Sequence, residues 1–389
     1  MFSAPVQSGK RIQYLDVLRG FAITGVLFAY VFWNLGTEPE TTWTAFDKII
    51  NQAGLFLVDS KFYTTLACLF TVGFVLHMNK TEDKAGSLYT YRKRLLILLI
   101  IGVLHALLLR SGDVLVQYAM LGFFVTIFYK ASSRTIMIAM VITFLLEVFL
   151  PLAWRWWGFS FPQRPSSAGE LYWVENFARV KFLYSIAIFY WETTLLLLLT
   201  GLLVGKEFIQ KKIELSNGQL SIVIVTGFVA GIISYVLINV YPDQLRGLPD
   251  IGNTFIIRST VYHLLDLIHK IGIASFYAGI LFLLCRKFRL TALSDLGKMS
   301  LTNYISQSLV LVPICLSFNL FDHITPAIAL VIFVVLWILQ ILFSKWWLKH
   351  HQFGPMEGLL RRFTYGELTS ANKESNQIEF IPETILIKK

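Results

Sequence analysis

Charge is what this sequence has least of. Only 15% of its 389 residues are Asp, Glu, Lys or Arg, where a soluble domain carries about 25%. Hydrophobic residues make up 56%, which excludes an ordinary soluble globular domain and points to a polytopic membrane protein. Cysteine is scarce too. Cys68, Cys285 and Cys315 are the only three, and each lies in an apolar stretch. That excludes a disulfide framework and a cysteine-based metal centre, so they read as small buried hydrophobes. There is no Gly-x-Ser-x-Gly, no His-Glu-x-x-His and no phosphate-binding glycine loop. These absences weigh against a serine hydrolase, a zinc protease and a nucleotide-driven pump. No metal and no resident cofactor is expected.

What the sequence has instead is long apolar runs. A helix needs about 20 residues to cross a bilayer. About ten segments approach that length, near 17–35, 54–78, 95–110, 113–129, 135–153, 182–204, 219–240, 255–285, 300–321 and 325–347. The fold class read from them is an all-α, polytopic membrane helix bundle. The third and fourth segments are short and joined only by Arg110-Ser111-Gly112-Asp113, a tight helical hairpin. Lys10 and Arg11 before an apolar core resemble a signal peptide. However, Asp16 and Arg19 interrupt the entry and no small-residue cleavage site follows, so the first span reads as uncleaved. Residues 1–366 form one multi-span domain, and 367–389 a mobile or surface-lying tail.

The formal charge of +10 raises the question of nucleic acid. Its carriers sit in short runs between apolar segments, the pattern of cytoplasmic loops, and no nucleic-acid partner is expected. With the N-terminus inside, the inner loops hold twenty Lys and Arg and the outer loops eight, so both termini are expected in the cytosol. The longest outer loop, 154–181, is rich in Trp and Tyr and reads as a surface-lying segment or lid. Gly201-xxx-Gly205 and Gly227-xxx-Gly231 have the spacing that lets helices approach closely.

Ionisable residues inside spans are costly and so are usually paired or functional. Four polar constellations stand out. Asp16 and Arg19, three apart, share a helix face at the cytosolic mouth of span one; they are a juxtamembrane ion pair or a donor-binding site. His105 lies before the hairpin turn and Asp113 after it, with Arg110, Gly112, Gln117 and Tyr118 nearby. Asp113 is a helix cap, or the carboxylate that orients His105 for proton transfer. His263, Asp266 and Lys270 lie on one face of span eight, with Glu192 and Glu147 as candidate partners. They form a structural polar network, or a solvated cavity for a substrate or a proton. Ser300, Asn303, Tyr304 and Gln307 open span nine, as interhelical amide bonds or as part of a cytosolic site with Glu357 and Arg361.

The stretches RIQYLDVLRGFAITGVLF, FYTTLACLFTVGFVLHM, YRKRLLILLIIGVLHALLLRSGDVLVQYAMLG, GKMSLTNYISQSLV and FGPMEGLLRRFTYGEL resemble the YeiB-like bacterial membrane proteins, a domain of unknown function (family 418). They run in order from about residue 12 to 368. The Leu-Asp-x-x-Arg-Gly opening is similar to that of transmembrane acyltransferases, namely acyltransferase family 3 and the lysosomal glucosaminide N-acetyltransferase group. That similarity implies acyl transfer from a cytosolic donor, acyl-CoA being the co-substrate, in the bacterial cytoplasmic membrane. In acyltransferase family 3 an Arg in span one is followed eleven positions on by a His. Here the Arg matches Arg19 and the His position holds Tyr30, where YeiB-like relatives commonly have Asn. Tyr is a poor base near neutral pH, so His105 or His263 would have to supply the base.

Three functional readings follow. The first is an acyltransferase, with His105, Asp113, His263 and Asp266 as catalytic candidates. Its donor- or substrate-binding candidates are Asp16, Arg19, Tyr30, Glu192, Lys270, Asn303, Gln307 and Arg361. Its acceptor is a lipid, a glycan or a small molecule. The second is a proton-coupled transporter of a small solute, centred on the span-eight face. The third is a non-catalytic membrane partner whose polar clusters are structural.

Overall fold

A computed structural model describes residues 13–34, 40–58, 60–79, 83–156, 172–185, 191–210, 216–240, 253–318, 320 and 324–366. The tail 367–389 and the aromatic stretch 157–171 lie outside the described residues. Among those residues every regular element is helical. The first half of the chain supplies α1 (Gln13–Ala29), α2 (Ala45–Leu57), α3 (Lys61–Asn79), α4 (Lys84–Leu108), α5 (Val114–Val125), α6 (Ser133–Trp156) and α7 (Tyr172–Ser185). The second half supplies α8 (Trp191–Val204), α9 (Asn217–Val240), α10 (Asn253–Lys287), α11 (Thr291–Lys298), α12 (Ser300–Phe318), α13 (Pro326–His350) and α14 (Pro355–Tyr365).

Seven stretches are long and apolar enough to cross a membrane: Gln13–Phe32, Ala45–Asn79, Ser133–Leu150, Asn217–Asn239, Thr260–Lys287, Ser300–Phe318 and Pro326–His350. They correspond to seven of the ten segments expected from hydropathy. The other three fall short for local reasons. The first part of α4 carries Arg92, Lys93 and Arg94. The α5 helix ends at Val125 and reaches Lys130 only through a tighter helical turn. Of the apolar run expected at 182–204, α7 describes the part to Ser185 and α8 the 14 residues Trp191–Val204, and 186–190 lie outside the described residues. The second expected segment also begins earlier than its hydropathy suggests. Thr44 and Asp47 form a reciprocal capping box at the start of α2, and Ser60 breaks the chain before α3 with a φ of 62°.

The bundle is apolar outside and buries a minority of polar groups among an apolar core. On α13, Val331, Val335, Leu339 and Leu342 are 63, 50, 54 and 57% exposed, and their spacing lays them on one face. Within the bundle Asp16, Asn303, Gln307 and Ser344 are buried. The apolar exterior suits a hydrocarbon solvent.

The hub is α1, which packs against α3, α10, α11, α12 and α13. Its closest crossing is with α11, and two glycines make it. A Cβ on Gly20 would lie 1.8 Å from the Leu293 carbonyl oxygen, and one on Gly297 would lie 1.8 Å from the Asp16 carbonyl oxygen. The two backbones therefore touch at the Gly of Leu-Asp-x-x-Arg-Gly and the Gly of Gly-Lys-Met-Ser. The α9–α10 pair crosses in the same way, with a Cβ on Gly227 meeting the Gly272 oxygen at 2.7 Å.

Gly297→Ala is expected to lower the thermal midpoint in detergent, because overpacking of this kind costs about 1–3 kcal/mol. Gly358→Ala is the control. A Cβ there meets nothing within 4 Å, and Ala is favoured over Gly inside a helix by about 1 kcal/mol. Equal midpoints for the two variants would show that the α1–α11 crossing is not tight.

Candidate functional site at the buried hairpin

The α4–α5 hairpin places a histidine and an aspartate on the two sides of a four-residue turn. Asp113 is the N-cap of α5: one carboxylate oxygen accepts from the Val116 amide at 2.9 Å. Its other oxygen lies 2.6 Å from His105 Nδ1 and accepts from the Tyr304 hydroxyl at 3.2 Å. The expected His105–Asp113 pair therefore meets, and the cap and the orienting carboxylate are the same group. A carboxylate only accepts, so Nδ1 carries the proton and the lone pair of a neutral imidazole falls on Nε2. That Nε2 is buried and has no hydrogen-bond partner among the described residues.

Tyr304 belongs to a different expected constellation, at the start of α12. Its hydroxyl also accepts from the Val114 amide at 3.3 Å, and its ring lies 5.3 Å from that of His105. Sequence reasoning divided the polar groups between two membrane faces, with His105 and Asp113 on one and Asn303 and its neighbours on the other. The Tyr304–Asp113 contact joins the two sets.

The turn itself is covered by protein. Asn176 of α7 accepts from the Ser111 amide at 2.8 Å and donates to the carbonyls of Ala106 and Leu107 at 2.9 and 3.1 Å. Tyr172 donates to the Leu109 carbonyl at 2.6 Å, and its burial there pushes the phenol above its ordinary range. Buried irregular backbone is tolerated where protein satisfies it in this way.

Arg110 completes the cluster. Its guanidinium stands 4.3 Å over the ring of Tyr30 and donates to the Tyr63 hydroxyl. Tyr30 is buried, and its hydroxyl bonds to Ser308. The side chain at the position where acyltransferase family 3 has a His thus lies beneath Arg110. Arg19 lies eleven residues before it, about 16 Å along α1. Arg19 pairs with Asp16 at 3.5 Å, keeps its side chain 30% exposed and lies beside Gly73 of α3.

The span-eight face does not close into a single cluster. His263 turns to Glu147 of α6 at 3.4 Å, and Thr193 of α8 donates to the same carboxylate at 2.6 Å. Asp266 and Lys270 pair with each other. Glu192 is buried, and neither of its carboxylate oxygens has a partner among the described residues.

The cytosolic constellation is an interhelical network. Asn303 donates to the Leu296 carbonyl at 3.2 Å and to Ser344 at 3.0 Å. Gln307 donates to the Ile23 carbonyl at 3.3 Å. Glu357 of α14 accepts from the Leu301 and Thr302 amides at 2.7 and 3.2 Å, anchoring α14 to the first turn of α12. Arg361 lies 3.9 Å over Phe353. Among the described residues no group of three His, Cys, Asp or Glu could hold a metal ion.

Sequence reasoning named Tyr304 only as a neighbour of Asn303, and Arg110 only as part of the turn. An arginine in a turn between two apolar runs was a usable signal for Arg110. Asn176 and Tyr63 carried none, because their roles arise from tertiary packing alone.

A family model described as "Protein of unknown function (DUF418)" matches residues 204–367. The "Uncharacterized 39.9 kDa protein in amylase 3'region" of Bacillus acidopullulyticus is 28% identical over 376 residues, covering 93% of this chain and 96% of that protein. "Uncharacterized protein YxaH" of Bacillus subtilis (strain 168) is 27% identical, with 93% and 96% covered. "Uncharacterized protein YeiB" of Escherichia coli (strain K12) is 25% identical, with 90% and 95% covered. No solved structure matches the chain.

The two roles of Asp113 separate by substitution. Asn still caps a helix, whereas Ala loses the cap at a cost of about 0.5–2 kcal/mol. Asp113→Asn is therefore expected to unfold at a higher temperature in detergent than Asp113→Ala, with both below the parent chain. Equal loss in the two variants would mean that the cap contributes nothing.

Proposed function

From a chain that is a YeiB-like protein of the family described as DUF418, we propose a transmembrane acyltransferase whose general base is His105. One observation carries the reading: Asp113 holds His105 by Nδ1 at 2.6 Å and leaves a buried Nε2 without a partner among the described residues. That is the arrangement a base needs to take a proton from an acceptor. An acceptor hydroxyl or amine loses its proton to Nε2 as its oxygen or nitrogen attacks the thioester carbonyl of an acyl-CoA. The carbon–sulfur bond breaks, and the departing thiolate recovers the proton from the imidazolium. Asp113 steadies the imidazolium, and Tyr304 steadies Asp113. Arg19, charged and part-exposed, would meet donor phosphates at the cytosolic mouth, as Arg does bidentately.

The topology that suits this reading adds α4, α5 and α8 to the seven long apolar stretches, giving ten crossings with both termini in the cytosol of a bacterial cytoplasmic membrane. The charge asymmetry of the loops supports it.

A second reading rests on Glu192. A buried carboxylate with no partner is costly when ionised, so Glu192, beside Glu147 and His263, suits a proton-carrying group of a coupled transporter. Glu192→Gln would abolish pH-dependent solute uptake under that reading and spare acyl transfer under the first.

The first test is on purified protein in detergent. Acetyl-CoA and longer acyl-CoAs are expected to raise the thermal midpoint, and Arg19→Ala to remove the rise. His105→Ala is expected to retain donor binding and to lose about 10²–10⁴-fold in transfer rate, the range for a general base. A folded sample that no acyl-CoA stabilises would sink the enzyme reading.

A further inference from the structure

Among the described residues Arg110 is a buried cation without a counter-ion. It is 9% exposed, its Nε has no hydrogen-bond partner among them, and none of their carboxylates ion-pairs with it. Asp113, three residues on, is occupied by His105, the Val116 amide and Tyr304. Around the guanidinium stand three phenols, Tyr30, Tyr63 and Tyr304. Phenols donate hydrogen bonds and carry no charge that would balance an arginine. A buried charge left unpaired costs several kcal/mol, and this chain accepts that cost beside its candidate base.

We propose that Arg110, with Tyr30 and Tyr63, binds an oxyanion carried by the acceptor, a carboxylate or a phosphate. The proposal rests on the acyl-transfer reading and names the acceptor class for it. The guanidinium fork matches both oxyanions bidentately, and the phenols supply further donors without competing for the charge. His105 packs against Tyr304, whose ring it approaches at 5.3 Å, and Arg110 is next to the same hydroxyl. An acceptor anchored by its oxyanion at Arg110 would therefore present a nearby hydroxyl or amine to Nε2. A neutral acceptor would leave the arginine unpaired in the loaded enzyme as well as the empty one. Tyr30 then has a role that a His at this position could not fill equally well, because a protonated imidazole would repel the guanidinium stacked above it.

The test needs no donor, so it is independent of the acyl-CoA measurement. Purified protein in detergent is titrated with glycerol phosphate, glycerate and glycerol at constant chloride-balanced ionic strength, with the thermal midpoint as the readout. A saturable rise with glycerol phosphate alone assigns a phosphate acceptor, and one with glycerate alone a carboxylate acceptor. Glycerol is expected to do nothing. Arg110→Met is expected to fold, to unfold at a higher temperature than the parent without anion, and to lose the anion response. Tyr30→Phe, which keeps the shape and the stacked ring, is expected to weaken anion affinity at least tenfold should Arg110→Met not fold. A response equal for both anions and for glycerol, or a response kept in Arg110→Met or unchanged in Tyr30→Phe, overturns the proposal. So does the absence of any response in the parent. If acyl-CoA stabilisation persists in that last case, the donor site stands and only the anionic acceptor is lost.

Discussion

The irregular backbone between α4 and α5 is buried against protein, where a backbone polar group left without a hydrogen bond is costly, so neighbouring side chains must supply one. Most of the central architecture answers to that requirement. Asp113 caps one side of the turn, Asn176 and Tyr172 satisfy the carbonyls and the Ser111 amide on the other, and Tyr304 reaches in from α12. Each contact also fixes a helix: α7 is laid over the hairpin, α12 beside it and the end of α1 beneath Arg110. A buried charged or polar turn is thus a strong organiser. Its polar groups cannot be left unpaired, and the elements that cover it acquire a defined position.

The second fixed point is the crossing of α1 and α11. Backbones that meet at Gly20 and Gly297 set the depth of α1 to within less than a helical turn, since a Cβ on either glycine would overlap the other chain. Ten residues after Gly20, the same helical run presents Tyr30 to Arg110, so the crossing and the hairpin cluster are linked by a rod of fixed length. Two motifs far apart in sequence, Leu-Asp-x-x-Arg-Gly and Gly-Lys-Met-Ser, are therefore one structural device. In the first, the Asp16 carbonyl lies at the close approach, while the Asp16 carboxylate pairs with Arg19.

Hydropathy made the helical class and seven of the long apolar stretches legible, because each is an uninterrupted run of the required length. The three further segments of the expected ten are shorter or carry more charge, so length and hydropathy alone do not mark them as spans. The His105–Asp113 pair was legible for a physical reason. A four-residue turn brings the end of one helix against the start of the next, and few partners other than each other are available there. The partnership of Tyr304 with Asp113 was not legible, because it spans 191 residues and joins groups that loop charges assign to opposite faces. Helical spacing puts His263, Asp266 and Lys270 on one face but does not say which groups pair: Lys270 takes Asp266, and His263 meets Glu147, one of the two expected partners, on another helix.

The polar groups of this bundle fall into two kinds, and the difference separates structure from chemistry. Asn303, Gln307, Gln340, Ser344 and Glu357 bond to one another and to backbone, with every contact interhelical or capping. A network of that kind rigidifies a core and asks for nothing further. Among the described residues, atoms left without a partner include His105 Nε2, Arg110 Nε, one oxygen of Glu147 and both of Glu192, together with Nε2 of His269. Packing alone would remove such groups, since apolar replacements of similar volume are often more stable than a partly satisfied charge. That two of them, a lone pair on imidazole and a cation, sit on the same hairpin with Tyr304 between them is difficult to derive from stability. It follows directly if the hairpin must hold an anion and accept a proton in one place.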